Sequence, residues 1–194
     1  ATTNNPKLPN QIATTALALA FLTSLLFLGE EGEVGNSLHV DEFSRMFTLV
    51  FTAALVLASL ATTARLPARP GASAPLDTDS TARSDSKVNA LIDNRRQVDF
   101  YILLLTTGLG MSLMAMATNL FMLFVCLELA SLSSYVLVAF HKEADVGGEA
   151  GTKYFIVGSV ASAVGIYGMS LLYLWNGSLD MADLATSWDA METM

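Results

Sequence analysis

FYILLLTTGLGMSLMAMATNLFMLFVCLELASLSSYVLVAF runs from Phe100 to Phe140, 41 residues carrying one charge, Glu128. An α-helix rises about 1.5 Å per residue, and ~20 mostly apolar residues cross the ~30 Å hydrocarbon core of a bilayer. The stretch is too long for one crossing and right for two. Asn119 lies near its middle, so a tight turn around Thr118–Asn119 predicts a helical hairpin.

The same test works outward along the chain. Leu8–Gly29 and Met46–Ala64 carry no charge, nor does Tyr154–Leu179. Five spans follow, at about 10–29, 44–64, 99–118, 120–140 and 153–174. Lipid admits helices or closed barrels, because every backbone polar group must be satisfied internally. The runs are continuous rather than alternating, and Leu, Ala and Met dominate them, so the fold class is all-α: a polytopic transmembrane helix bundle in a single membrane domain, residues 1–194. Residues 10–29 are read as a retained span rather than a signal peptide. Lys7 is the one basic residue before them, and no clear small-residue cleavage site follows.

Composition excludes other classes. Of 194 residues, 53% are apolar and 14% charged, against about 25% charged in soluble proteins. Mean hydropathy is +0.49. A net charge of −8, from 18 acidic and 10 basic side chains, argues against nucleic-acid binding. The single cysteine, Cys126, excludes a disulfide framework. His39 and His141 have no third ligand at metal spacing, and no phosphate loop, dinucleotide fingerprint or nucleophile elbow is present. Gly108-Leu109-Gly110 lies inside a span and is no cofactor loop.

Basic residues set the orientation. With five alternating helices, Lys7, Arg65, Arg69, Arg83, Lys87, Arg95, Arg96 and Lys142 fall on one side and Arg45 on the other, with Lys153 at a helix start. The N-terminus and the 65–98 and 141–152 loops are predicted cytoplasmic, the acidic 30–42 loop and C-terminal tail outside, in a multi-pass protein of the cell membrane. Pro67, Pro70, Gly71 and Pro75, followed by Asp, Ser, Thr and scattered Arg, predict a flexible loop over 65–98. The acidic tail Asp180–Glu192 is read as solvated. The chain begins at Ala1 and stops in Met-Glu-Thr-Met, so a fragment of a longer protein is expected.

Glu128, in Leu127-Glu128-Leu129, is the sharpest chemical feature. Ionisable groups at membrane depth are costly and usually face a bundle interior or water. Burial raises a carboxyl pKa and a nearby ammonium lowers it, so a carboxyl held between such pulls can load and release protons. The bland alternative is a structural carboxyl hydrogen-bonded to neighbouring helices. Lys153 opens the last span, where position alone favours a lysine snorkelling to the headgroups. Ser131 and Tyr135 share the Glu128 face approximately, and serines in membrane helices more often serve as packing glue. Gly158, Ser159, Ala161, Ser162, Ala163, Gly165 and Gly168 read as small residues that permit close helix approach.

An ordered series of motifs adds a resemblance. Asp41-Glu42-Phe43-Ser44-Arg45, then Phe100–Leu105 leading to Gly108-Leu109-Gly110-Met111, then Leu127–Tyr135, Glu149–Phe155, Gly158-Ser159 and Tyr167–Tyr173 together resemble subunit N of respiratory complex I, the mitochondrial subunit 2 type, over residues 38–180. The resemblance implies a proton-translocating, antiporter-like subunit of an NADH (or related donor):quinone oxidoreductase, coupling quinone reduction to proton pumping. Its partners would be the other membrane and peripheral subunits and the lipid bilayer. Quinone, flavin and iron–sulfur clusters would belong to those other subunits and none to this chain. This chain would correspond to the second through sixth of about fourteen spans, and Glu128 and Lys153 to the charged mid-membrane axis. Asn119 stands where the family often has aspartate, the lysine of the following helix is absent, and the 65–98 loop is longer than usual. Two other readings stay open: a subunit of a multi-subunit cation/proton antiporter, and a non-transporting membrane scaffold in which Glu128 and Lys153 are structural.

Overall fold

The computed structural model describes residues 8–26, 32–35, 37–62, 80–140 and 145–192. In order these form α1 (Leu8–Leu26), β1 (Gly32–Val34), β2 (Leu38–Val40), α2 (Glu42–Thr62), α3 (Ser80–Met116), α4 (Leu120–Val138), α5 (Asp145–Asn176) and α6 (Met181–Glu192). Four stretches are long and apolar enough to cross a membrane: Glu42–Thr62, Arg96–Met116, Leu120–Val138 and Val146–Asn176. The remaining predicted span appears as a shorter apolar helix, Asn10–Leu26. The all-α membrane bundle is the observed architecture.

α1, α2 and α3 pack on one another, and α3 and α4 form the tightest pair. α5 lies at the edge, against α4. Small and hydroxylated residues line the α1–α2–α3 seams. Ala13 and Leu17 of α1 are buried, as are Ser44, Thr52, Leu55 and Ser59 of α2, whose spacing keeps them on one face. Their hydroxyls are satisfied locally: Thr52 donates to the Thr48 carbonyl at 2.7 Å, and Thr14 Oγ1 and Ser59 Oγ lie 2.7 Å apart across the helices. Small residues let backbones approach and harvest dispersion contacts, the main attraction left once lipid has removed the hydrophobic drive between helices.

The hairpin predicted from the 41-residue run exists, but its corner is an extended strip rather than a tight turn. Leu38 of β2 bridges Ala117, and Thr118 donates to the Ser37 carbonyl at 3.0 Å. On the other flank Asn119 bridges Asp180, and Met181 donates to the Thr118 carbonyl at 3.0 Å. Residues 117–119 are thus held from both sides by backbone bonds, as buried or crowded backbone polar groups require. Asn119 caps α4, its side chain accepting from the Phe121 amide at 2.9 Å.

Four features of local structure differ from expectation. The 65–98 segment is not a loop throughout, because α3 starts at Ser80 and runs without a break into the membrane stretch. Helix formers such as Ala, Leu, Lys and Arg between 82 and 96 extend a helix that the apolar part nucleates. Residues 63–79, with the proline cluster, lie outside the described residues, as do His141, Lys142 and Lys7. The acidic 30–42 loop contains an antiparallel ribbon, with Gly32 opposite Val40 and Val34 opposite Leu38. The last span begins at Asp145 rather than 153, and the tail read as solvated is largely the helix α6.

α2 begins with a reciprocal cap. The Ser44 amide donates to Asp41 Oδ1 at 2.7 Å, and the Asp41 amide donates to Ser44 Oγ at 3.0 Å. These satisfy donors that no helical carbonyl can reach. The Ser44 amide and hydroxyl hold the Asp41 carboxyl below its ordinary value of 3.8. A lowered folded-state pKa contributes stability that is complete above the unfolded value and is lost as pH falls through the folded one. Asp41→Ala should therefore cost about 1 kcal/mol at neutral pH. Asp41→Asn should keep most of the cap but flatten the acid limb of a plot of Tm against pH in detergent. An acid limb as steep in the Asn variant as in the parent would refute the assignment.

Candidate functional site: the Glu128 seam between α4 and α5

Glu128 sits eight residues into α4, about 12 Å along the axis from Leu120, and is half-buried. Its neighbour across the seam is on α5: Ser162 Oγ donates to Glu128 Oε1. The carboxylate therefore has a cross-helix partner at membrane depth, which offsets part of its desolvation. Ser131, Ser133 and Ser134 of the same helix turn inward to their own backbone, donating to the carbonyls of Glu128, Leu129 and Ala130 at 3.2, 2.9 and 2.9 Å. They fill the packing role and leave Ser162 as the hydroxyl that reaches Glu128.

One helical turn and more toward the other end, the seam closes on aromatic rings. Tyr135 is buried and meets Tyr154 edge-on at 4.7 Å and Phe155 at 5.9 Å. Gly158 makes this possible, since a Cβ there would lie 2.0 Å from the Tyr135 hydroxyl oxygen. Gly151 plays the same part opposite Ala139, where a Cβ would stand 2.4 Å from the Ala139 Cβ. At the end of α4, Arg96 of α3 lies over the Phe140 ring at 5.3 Å and its Nη2 donates to the Phe140 carbonyl at 3.4 Å. That contact places a cation on an unsatisfied helix C-terminus.

Lys153 is not brought to Glu128. It pairs with Glu149 one turn back on α5, and both side chains are exposed, 73% and 64%. Nine residues separate Lys153 from Ser162, about 13 Å along the helix. Lys153 also stands 23 residues before Asn176, about 34 Å along the axis, which is at or just beyond one hydrocarbon thickness. Its placement suits the headgroup level that position in the sequence favours. Among the small residues of α5, Gly158 serves close packing, whereas no atom would lie within 4 Å of a Cβ at Gly168. Ser162 was hidden in that run: no local signal distinguishes it from the neighbouring Ser159, and only the rotation of α5 against α4 selects it. Among the described residues no group of three or more His, Cys, Asp or Glu is placed to share a metal ion.

Comparison with known proteins finds relatives of the chain as a whole. The family described as NADH:quinone oxidoreductase/Mrp antiporter, TM, matches residues 117–194, the C-terminal part that holds α4, α5 and α6. NADH-quinone oxidoreductase subunit N 2 of Syntrophobacter fumaroxidans is 34% identical over 88% of this chain and 31% of its own length. Subunit N 1 of Roseiflexus castenholzii is 35% identical over 78% of this chain and 25% of its own. Among solved structures, respiratory complex I from Thermus thermophilus with bound aureothin contains a chain that superposes with a TM-score of 0.67 at 28% identity, over 91% of this chain and 33% of that one. A chain of the membrane-bound sulfane sulfur reductase, an archaeal respiratory membrane complex, shares the fold with a TM-score of 0.56 at 24% identity. The chain thus spans about a fifth to a third of the length of the curated relatives it matches. A multi-pass membrane bundle with these relatives along most of its length is similar to the antiporter-like membrane subunits of the NADH:quinone oxidoreductase/Mrp antiporter family, and among them to subunit N.

Proposed function

We propose that this chain serves proton translocation in a NADH (or related donor):quinone oxidoreductase, with Glu128 as the protonatable group of the membrane interior. The observation that carries the reading is the Glu128 carboxylate at mid-helix with one cross-helix hydroxyl donor, Ser162, and no cation against it among the described residues. A carboxylate so placed can take a proton when the field along the membrane axis turns negative there and release it when a cation approaches. Electron transfer is the work of flavin, iron–sulfur clusters and quinone in other subunits, and coupling to this chain is electrostatic. Lys153, paired with Glu149 near the helix start, exchanges protons between that axis and the water-facing side. The two groups act in sequence rather than as a direct pair, since each has its own partner.

The description of the matched family also names Mrp antiporters. Purification from native membranes in mild detergent, with the bound subunits identified by mass spectrometry, separates the two. Co-purifying iron–sulfur and flavin subunits support the oxidoreductase reading. A stable set of membrane subunits without them, exchanging cations for protons in vesicles, would replace it with the antiporter.

A further inference from the structure

α6 carries an apolar face of its own. Met181, Leu184, Trp188 and Met191 recur at i, i+3, i+7 and i+10 and share one face of this helix. Asp183, Thr186 and Asp189 occupy the other side. Trp188 is 61% exposed and Met191 51%, so none of the described residues covers the outer half of the apolar face.

The orientation of that face is fixed. α5 ends where Gly177 adopts φ +74° and its amide donates to the Tyr173 carbonyl at 2.8 Å. This left-handed residue turns the chain sharply at the end of a membrane stretch. Asp180 then caps α6, accepting from the Ala182 amide at 3.0 Å, while Ser178 donates to Asp183 Oδ2 at 2.7 Å. Two turns on, Ser187 Oγ donates to Asn176 Oδ1, the last residue of α5. α6 therefore lies across the end of α5 rather than continuing away from it. Met181, Leu184 and Ser187 are the less exposed residues of α6, so the side held down on α5 runs along one edge of the apolar face. Trp188 and Met191 face the same way as the membrane stretch and overhang it. Tyr173 and Trp175, at the end of α5, are exposed 57% and 49% at the same level.

We propose that α6 is an interfacial helix that seats Trp188 and Met191 at the boundary between lipid headgroups and acyl chains, with the lipid itself as the occupant of its apolar face. Tryptophan favours this boundary because its ring is apolar and its N–H needs a polar partner. The helix carries three acids and no basic residue, so attachment comes from apolar burial alone and does not draw on anionic lipid. The end of a membrane stretch directly beside this face makes neutral lipid the chemistry that fits it.

The chain has two tryptophans, Trp175 and Trp188, which makes the test direct. Trp175→Phe leaves Trp188 as the reporter, and Trp188→Phe leaves Trp175 as an internal reference at the end of the span. Each variant of the full chain is reconstituted into phosphatidylcholine vesicles brominated either near the headgroup end of the acyl chains or near their tips. The expected result is that Trp188 is quenched about as strongly as Trp175, more by the shallow bromines than by the deep ones, with no change when anionic lipid is added. Trp188 quenched by aqueous iodide and not by bromolipid, while Trp175 responds to bromolipid, would overturn the proposal in favour of a water-exposed helix. Trp188 shielded from both quenchers would overturn it in favour of a protein partner. If neither tryptophan responds in vesicles, the same pair is read in micelles of brominated detergent, where the same comparison decides.

Discussion

On the proposed function, an oxidoreductase carrying Glu128→Gln should still pass electrons from donor to quinone but translocate several-fold fewer protons per electron. Glutamine keeps the volume and the carbonyl oxygen that can accept from Ser162, so the α4–α5 contact survives. It removes the ionisable group, and with it the site where a proton can be held at depth. The ratio of proton uptake to quinone reduction in inverted membrane vesicles measures this directly, because it is independent of how much complex assembles. Glu128→Ala should be worse on both counts, since it also strands the Ser162 hydroxyl at the seam. An unchanged ratio in normally assembled Glu128→Gln would reject the proton role. Reduced yield with an unchanged ratio would favour a scaffold. Lys153→Gln is the companion variant: its exposed pair with Glu149 adds little to stability, so a fall in pumping there reports function rather than folding.

Gly110→Val should produce the largest loss of stability of any single substitution considered. A Cβ at position 110 would lie 2.7 Å from the Ala130 amide nitrogen and 2.9 Å from the Cys126 carbonyl oxygen, both backbone atoms of α4. Backbone cannot swing aside, so α3 and α4 must separate, and their packing is the most extensive in the bundle. Overpacking of a core typically costs about 1–3 kcal/mol, and a valine against two backbone atoms belongs at the top of that range. Gly108 supplies the contrast, because a Cβ there would meet the tip of the Leu55 side chain at 2.1 Å, which can change rotamer. Gly168→Ala meets nothing within 4 Å and should be neutral or stabilising, since alanine holds a helix about 1 kcal/mol better than glycine. Thermal unfolding in detergent should rank the three as Gly110→Val far below Gly108→Ala, with Gly168→Ala at or above the parent. A Gly110→Val protein as stable as the parent would show that α3 and α4 do not touch as described.

Membrane burial explains why so much was legible from residues alone. Lipid demands long charge-free segments with every backbone group paired inside them, so hydropathy reports spans almost directly. The 41-residue run Phe100–Phe140 had to break once, and Asn119 marked where. Glu128 was legible for the same reason: a lone carboxylate at depth stands out against lipid as it would not against water. Local composition was a poorer guide where the chain leaves the bilayer. The stretch 80–98 is mostly polar, yet it is helix, because a helix already started costs little to extend.

What tertiary structure alone decided is the relation between helices. Sequence period says which residues share a face of one helix, but not how two helices are rotated and slid against each other. That choice, made by Gly110 against the α4 backbone and Gly158 under Tyr135, put Ser162 opposite Glu128 and left Lys153 with Glu149. The clasp of residues 117–119 between β2 and Asp180 and the laying of α6 across α5 are likewise long-range hydrogen bonds. The partners of the clasp lie tens of residues apart and Ser187 lies 11 residues from Asn176 across a turn, so no helical or strand period encodes them, and only the packed molecule selects which donors meet which acceptors.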